Sequence, residues 1–135
     1  MYCFASKNFF LCLAPTIVFE PEDCDDNTDL RVKLSGEGYN ISTVMHVDIY
    51  DLAAFADALC TLRETLNGRV LLEESPESEA YLLFEGDGRG HITVSGRLLA
   101  GDGEDDRLWS AFRFAGDQTM LPAAEQMRED LSEYL

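Results

Sequence analysis

Short turns between segments of alternating apolar and polar residues limit most strongly how this chain can fold. Residues 30–36 place Leu30, Val32 and Leu34 on one side, which is the period-two pattern of a half-buried β-strand. Residues 38–50 follow across the turn SGEG, so the two segments are predicted to form a hairpin. Strands joined by such short turns pair antiparallel, because a parallel pair needs a long crossover connection.

The second half of the chain contains the same kind of alternation. Residues 91–100 predict a strand with one apolar face, made of Ile92, Val94, Gly96 and Leu98. Further short strands are predicted at residues 16–20, 69–75, 80–85 and 107–115. No stretch of sequence recurs, so the chain shows no internal repeat.

Two segments have the spacing of helices instead. In the first, at about 51–67, apolar residues recur three and four positions apart, at Leu52, Phe55, Leu59, Leu62 and Leu66. Asp48 or Asp51 is expected to cap its start, and Asn67-Gly68 to supply a left-handed stop. The second helix is expected at about 119–135, with Asp117 or Thr119 as cap and Pro122 tolerated in its first turn. Its apolar stripe is Met120, Ala124, Met127, Leu131 and Tyr134.

Together these segments predict an α+β fold. We expect an antiparallel β-sheet of about six strands with the two α-helices packed against one face. A chain of 135 residues fits a single domain, 1–135, although the sequence leaves open how residues 1–29 pack. It also leaves open whether the first strand belongs to this sheet or to a partner.

The charge of the chain restricts its partners. There are 26 Asp and Glu against 10 Lys and Arg, which gives a formal net charge of −16. Nucleic acids and anionic membranes are therefore not expected partners, because both are bound through cations. A basic protein is the natural partner, since opposite charges speed association. The competing interpretation is an acidic surface typical of a salt-rich or acid-biased proteome.

The N-terminus and the cysteines bear on location. Residues 1–15 have one Lys and an interrupted apolar run, which differs from a signal peptide, so we expect a cytoplasmic protein. No segment has the roughly 20 apolar residues of a membrane span. Cys3, Cys12, Cys24 and Cys60 show no metal-binding spacing, so reduced thiols are expected, with Cys60 in the core.

Two short motifs have some features of binding sites but lack others. GDGRG, at residues 86–90, lacks the following helix of a phosphate-binding loop, so we interpret it as a hairpin turn whose glycines supply positive φ. Asp23, Asp25 and Asn27 have the first spacings of a calcium loop, but Thr28 replaces the required glycine. No spacing indicates a nucleophile or an acid–base pair, so no catalytic residue, metal site or cofactor is predicted and the protein is not expected to be an enzyme.

The acidic turns are the remaining candidate for a binding surface. Hairpin ends at one edge of a sheet could join into a single negative surface for a basic partner. The alternative is a solvated rim without function. The predicted partner-binding residues are Glu73, Glu74, Glu77, Glu79, Asp102, Glu104, Asp105 and Asp106.

Three stretches occur in a fixed order in the chain: LRETLNG at 62–68, GRGHITVSGRL at 88–98 and FRFAGDQTMLPAA at 112–124. In this order they resemble the immunity proteins of the WapI type, which are antitoxins of bacterial contact-dependent competition. The resemblance extends over roughly residues 30–135. It implies inhibition of a cognate toxin domain, often a nuclease, by binding without catalysis. The matching residues look structural, so the resemblance assigns no binding residue.

The leading hypothesis is therefore a cytoplasmic immunity protein that blocks a basic toxin domain through an acidic surface. The alternative is a small ligand-binding or enzymatic α+β domain whose site is assembled from residues distant in sequence. A shaped pocket holding a carboxyl group of shifted pKa would favour that alternative. A third hypothesis is a structural subunit that oligomerises through an exposed strand edge.

Overall fold

A computed structural model describes residues 1–74, 79–100 and 108–135, apart from the side chain of Ala100. The α+β prediction is confirmed, but the strands form two antiparallel sheets of four rather than one sheet of about six. The first sheet contains, in spatial order, β1 (Tyr2–Ala5), β2 (Phe9–Ile17), β3 (Thr28–Gly36) and β4 (Tyr39–Val47). The second contains β5 (Asn67–Glu73), β6 (Tyr81–Asp87), β7 (His91–Ala100) and β8 (Leu108–Asp117).

The order of elements is the same in both halves of the chain. Each sheet is followed by a helix, α1 (Ile49–Thr65) after the first and α2 (Ala123–Asp130) after the second. The helices pack against each other, and each also contacts the first strand of the opposite half: α1 contacts β5, and α2 contacts β1. The architecture is therefore duplicated although the sequence shows no repeat.

The N-terminal residues, whose packing the sequence left open, belong to the first sheet. Strand β2 runs along β3 from Phe9↔Gly36 to Ile17↔Thr28, and β1 pairs with its other side. The predicted strand at 16–20 is wrong in its bounds, because β2 begins at Phe9 and ends at Ile17. The run FFLCL buries four of its five residues, so it lacks the alternation that identifies a half-buried strand.

The expectation of four reduced thiols is also wrong. Cys3 and Cys12 form a disulfide, while Cys24 and Cys60 are free and Cys60 is buried as predicted. The two bonded residues are direct partners across the β1–β2 pair, with Cα atoms 4.1 Å apart. Spacing in sequence could not show this, because the hairpin that brings them together was not predicted.

Helix α1 confirms the predicted apolar stripe at its four buried members, Leu52, Phe55, Leu59 and Leu62, and one of the two candidate caps. The Asp48 carboxylate accepts a hydrogen bond from the Tyr50 N–H at 2.8 Å. The predicted stop at Asn67-Gly68 is wrong, because Leu66 itself takes the left-handed conformation with φ of 61° and Asn67 already begins β5. Two backbone bonds hold Leu66 there, from its N–H to the Leu62 carbonyl and from the Gly88 N–H to its own carbonyl, each 2.7 Å.

The predicted second helix, 119–135, is divided into three parts. A 3-10 turn (Gln118–Met120) precedes α2, and another (Ser132–Tyr134) follows it. Asp117 caps the first turn by accepting from the Thr119 N–H at 2.9 Å. The stripe is confirmed at its four buried members, Met120, Ala124, Met127 and Leu131.

One apolar core cluster contains residues of both sheets and both helices. The Phe84 ring on β6 lies edge-on to Phe4 of β1 at 5.5 Å and to Phe55 of α1 at 5.9 Å. The Phe9 ring of β2 stacks on Phe114 of β8 at 4.7 Å. These aromatic contacts join the two halves through their buried faces.

GDGRG is a hairpin turn, as predicted. It joins β6 to β7, and Gly88 and Gly90 have φ angles of 81° and 97°. The Asp87 carboxylate accepts from the Arg89 N–H at 2.7 Å and contacts the His91 ring at 2.6 Å. These contacts link the two ends of the turn.

Candidate functional site

Only part of the predicted binding surface falls within the described residues. Of the residues in that prediction, Glu77, Asp102, Glu104, Asp105 and Asp106 lie outside them. Of the other three, Glu79 forms an ion pair with Arg97 at 2.5 Å, and the Arg97 guanidinium lies 4.5 Å from the centre of the Trp109 ring. Glu73 and Glu74 instead lie at the end of β5, beside a cavity.

That cavity lies between α1 and β5 and has a volume of about 680 Å³. A second cavity of about 390 Å³ continues it toward the start of β5, and the two share Ala54, Ala58, Arg69 and Val70. We call the whole depression the α1–β5 groove. One wall is residues 48–62, which are the cap and most of α1, and the other is residues 67–74, which are β5 and the residue after it. Because Ala54 and Ala58 are small, the helix leaves room beside the strand.

One end of the α1–β5 groove is strongly acidic. Its six carboxylates come from three places in the sequence: the loop after β2, the start of α1 and the end of β5. They are Asp25, Asp26, Asp48, Asp51, Glu73 and Glu74. Among the described residues that line this cavity, the one basic side chain is Arg69, whose guanidinium lies 3.4 Å from the Glu85 carboxylate.

The fully buried Asn27 holds the first pair of carboxylates in place. Its side-chain oxygen accepts from the Ile49 N–H at 2.9 Å, at the first residue of α1, and from the Thr28 hydroxyl at 2.8 Å. Its side-chain nitrogen donates to the Cys24 carbonyl at 2.9 Å. Asn27 therefore ties the loop that carries Asp25 and Asp26 to the start of the helix. It is turned inward, so it is not placed as a calcium ligand.

The crowding of carboxylates affects the titration of Asp51. Partial burial raises the pKa of its carboxyl group, and repulsion from Asp48, Asp25 and Asp26 raises it further. The negative charge of Asp51 is thus less favourable here than in water. A cation placed in the groove would relieve this repulsion.

The described residues contain no group of three or more His, Cys, Asp or Glu side chains that could hold a metal ion. Each histidine contacts one aspartate on an exposed surface: His46 Nδ1 lies 2.8 Å from Asp29, and Nδ1 of His91, the first residue of β7, lies 2.6 Å from Asp87. Neither histidine lines the α1–β5 groove.

Sequence reasoning found two of the six carboxylates at the acidic end and missed four. The sequence indicates Asp25 only as a position of an incomplete calcium loop, and Asp48 and Asp51 only as helix caps, while Asp26 carries no signal of its own. The available signal was that two acidic stretches flank the predicted hairpin of residues 30–50. An antiparallel hairpin brings its two outer ends together, here through the register Thr28↔Val47.

Among the described residues, no helix is long and apolar enough to cross a membrane. No family model matches this chain, and no curated protein or solved structure matches it significantly.

Proposed function

We propose that this protein is an immunity protein that binds a cognate toxin domain, a basic domain of the nuclease class, and neutralises it without catalysis. The observation that carries the proposal is the acidic end of the α1–β5 groove, where six carboxylates lie around one cavity. A cytoplasmic location, where the toxin would act, is part of the same proposal. The WapI-type resemblance supports it independently of the groove.

Charge complementarity is the physical basis of the proposed inhibition. A nuclease binds phosphates through Lys and Arg, so an acidic groove presents the charge that its active site attracts. The net charge of −16 would speed encounter with such a domain, and the cluster of carboxylates would orient it. The pKa of the Asp51 carboxyl group is raised in the free protein. A cation of the partner bound nearby should lower this pKa, because it offsets the repulsion between Asp51 and its neighbouring carboxylates.

Co-expression tests the proposal. The proposal expects that a large secreted protein is encoded immediately upstream and that its variable C-terminal region is the toxin domain. This toxin domain is the partner to use. The wild-type protein should restore growth and form a complex with this domain. A failure to bind it or to restore growth would contradict the immunity function itself.

A matched pair of charge variants tests the site. The groove variant combines Asp25→Asn, Asp26→Asn and Glu73→Gln, leaving Asp48 and Glu74 because they bond the Tyr50 and His46 N–H groups. The control removes the same charge from exposed side chains that do not line the groove, by Glu37→Gln, Glu64→Gln and Glu129→Gln. At low salt the groove variant should associate about tenfold more slowly, and the control should change by about twofold or less.

The acidic residues 102–106, outside the described part of the chain, need their own variant. Asp102, Glu104, Asp105 and Asp106 are replaced together by Asn, Gln, Asn and Asn. A slower association at low salt would indicate that these residues take part in the interface. An unchanged association rate would exclude them.

A second candidate function is the binding of a small cationic ligand. Two observations favour it: the cavity of about 680 Å³ is within the size range of ligand sites, and Asp51 has a raised pKa. Calorimetric titration with a linear polyamine distinguishes the two functions. Tight polyamine binding that is lost in the groove variant, together with no toxin rescue, would favour the small-ligand function.

A further inference from the structure

We propose that the outer edge of β5 is a strand-addition site, at which an extended cationic segment of the partner protein pairs with the backbone inside the α1–β5 groove. The proposal rests on the proposed function for the identity of that partner. It adds how the partner is held, by main-chain hydrogen bonds as well as charge.

The hydrogen bonds between β5 and β6 fix which backbone groups face the groove. At one end the Glu74 N–H donates to the Ala80 carbonyl at 3.1 Å, and at the other the Gly88 N–H donates to the Leu66 carbonyl at 2.7 Å. In an antiparallel pair, successive residues direct their N–H and C=O groups to opposite sides. Leu66 and Glu74 are an even number of positions apart, so the even-numbered residues of β5 face β6. Arg69, Leu71 and Glu73 therefore direct their N–H and C=O groups away from β6.

The two ends of this edge differ. At its start the Thr65 hydroxyl donates to the Asn67 carbonyl at 3.1 Å, and the Asn67 N–H donates back to that hydroxyl at 3.4 Å. The outward groups of Asn67 are thus bound within the chain. From Arg69 to Glu73 the strand has no second neighbour among the described strands, since β5 is the terminal strand of its sheet. This stretch is about 13 Å long, enough for four or five residues of an added strand.

Two other sheet edges make contacts of their own. On β4 the Thr43 hydroxyl donates to the Leu99 carbonyl at 2.5 Å, and the His46 N–H donates to Glu74 at 3.1 Å. Strand β1 lies against α2, where the Tyr2 hydroxyl donates to Asp130 at 2.6 Å. Strand β5 also lies beside a helix, α1, but a cavity separates the two along residues 69–74.

The lining of the groove indicates the chemistry of the added segment. Six successive residues, 69–74, line the larger cavity. Side chains of successive strand residues point to opposite faces, so it is the edge of the strand that faces the cavity. The helix side adds Ala54, Phe55 and Ala58, and the carboxylates crowd one end. An extended segment that alternates apolar residues with Lys or Arg matches both parts.

Peptides of equal charge separate strand pairing from electrostatic attraction. One is a short capped peptide alternating lysine and valine; the other alternates lysine and proline, and its proline residues have no N–H to pair. We expect the lysine–valine peptide to bind at least about tenfold more tightly than the lysine–proline peptide. This factor corresponds to the roughly one or two main-chain hydrogen bonds that the proline peptide cannot form. The lysine–valine peptide should also slow hydrogen exchange at the outward amides of Arg69, Leu71 and Glu73.

A variant pair tests the same edge with the full chain and the toxin domain. Leu71→Pro removes one outward N–H and leaves the bonds to β6, whereas Leu71→Ala removes only side-chain atoms. Binding should weaken about tenfold in the proline variant and by about threefold or less in the alanine variant. If the proline variant does not fold, the peptide comparison still decides the matter.

The outcomes separate this proposal from the immunity function. If both peptides bind equally and the three amides stay unprotected, strand addition is wrong, whatever the toxin assay shows. If the toxin domain is neutralised but these amides remain as exposed as in the free protein, the immunity function stands and the β5 edge is not its interface. If the toxin domain is not bound but the valine peptide protects the amides, the edge is a strand-addition site and the immunity function fails.

Discussion

Replacing the buried Asn27 by alanine tests how the acidic end of the groove is built. The side chain makes bonds in two directions, to the start of α1 at Ile49 and to the loop at Cys24. Asn27→Ala removes these bonds and leaves the Ile49 N–H and the Thr28 hydroxyl without their acceptor. Ile49 is 1% exposed and Thr28 is 0% exposed, so water does not replace the lost partner without rearrangement.

The expected cost follows from the two buried groups. An unsatisfied buried donor costs about 1–3 kcal/mol, so the loss of the acceptor for two donors should lower the free energy of unfolding by roughly 2–6 kcal/mol. The domain as a whole is expected to have about 5–15 kcal/mol of stability, so the loss should be easily measured. Because Asn27 also holds the loop of Asp25 and Asp26, association with a basic partner should slow as well.

Urea denaturation followed by circular dichroism measures the change, with Asn40→Ala as the control. Asn40 is exposed on β4, so its replacement should change stability by about 0.5 kcal/mol or less. Asn27→Asp gives a sharper test, because an ionised carboxylate keeps the acceptor but cannot donate to the Cys24 carbonyl. Its burial should raise its pKa, so the variant should regain stability as the pH falls. Equal stabilities of Asn27→Ala and wild type would refute the role given to this residue.

Three further predictions concern other contacts. Tyr2→Phe should lower stability by about 1–2 kcal/mol because it removes the hydrogen bond to Asp130. Partial burial and this hydrogen bond raise the pKa of the Tyr2 phenol to about 12, so the stability of the wild type should fall as pH rises between 10 and about 12. Asp51→Asn should change the pH dependence, because the raised pKa means that the folded state holds this proton more tightly. Asp51 therefore contributes stability that is lost as pH rises through the carboxyl range, and the variant lacks this contribution. Gly86→Ala should cost about 1–3 kcal/mol or more in thermal denaturation, because its Cβ would lie only 2.4 Å from the Leu66 carbonyl oxygen. A Tyr2→Phe variant of wild-type stability, an unchanged pH profile for Asp51→Asn, or a fully stable Gly86→Ala would each contradict the corresponding contact.

The sequence predicted those strands and helices whose apolar residues recur with the period of the face that they bury. Leu30, Val32 and Leu34 alternate because one face of β3 is buried, and all three are fully buried. The α1 stripe was predictable for the same reason. Strands β1 and β2 were not, because a continuous apolar run such as FFLCL does not distinguish strand from helix, and no glycine or proline marks the turn after Ala5.

The candidate site was less predictable than the fold. It joins residues from the loop after β2, from α1 and from β5, and their proximity depends on how α1 packs beside β5. Asn27 resembled a loop residue in sequence, since only the folded chain shows that its side chain turns inward to bond Ile49. The division into two sheets was equally hidden, because strand patterns specify neighbours within a hairpin but not where one sheet ends and the next begins.

The salt dependence of association with the toxin domain tests the central claim most directly. The association rate is measured over a range of salt concentrations for wild type, for the groove variant (Asp25→Asn, Asp26→Asn, Glu73→Gln) and for the control that removes equal charge elsewhere. We predict that wild type and control share a steep fall with salt, and that the groove variant is slower at low salt with a shallower fall. Identical rates and slopes for the groove variant and the control would contradict a binding site in the α1–β5 groove.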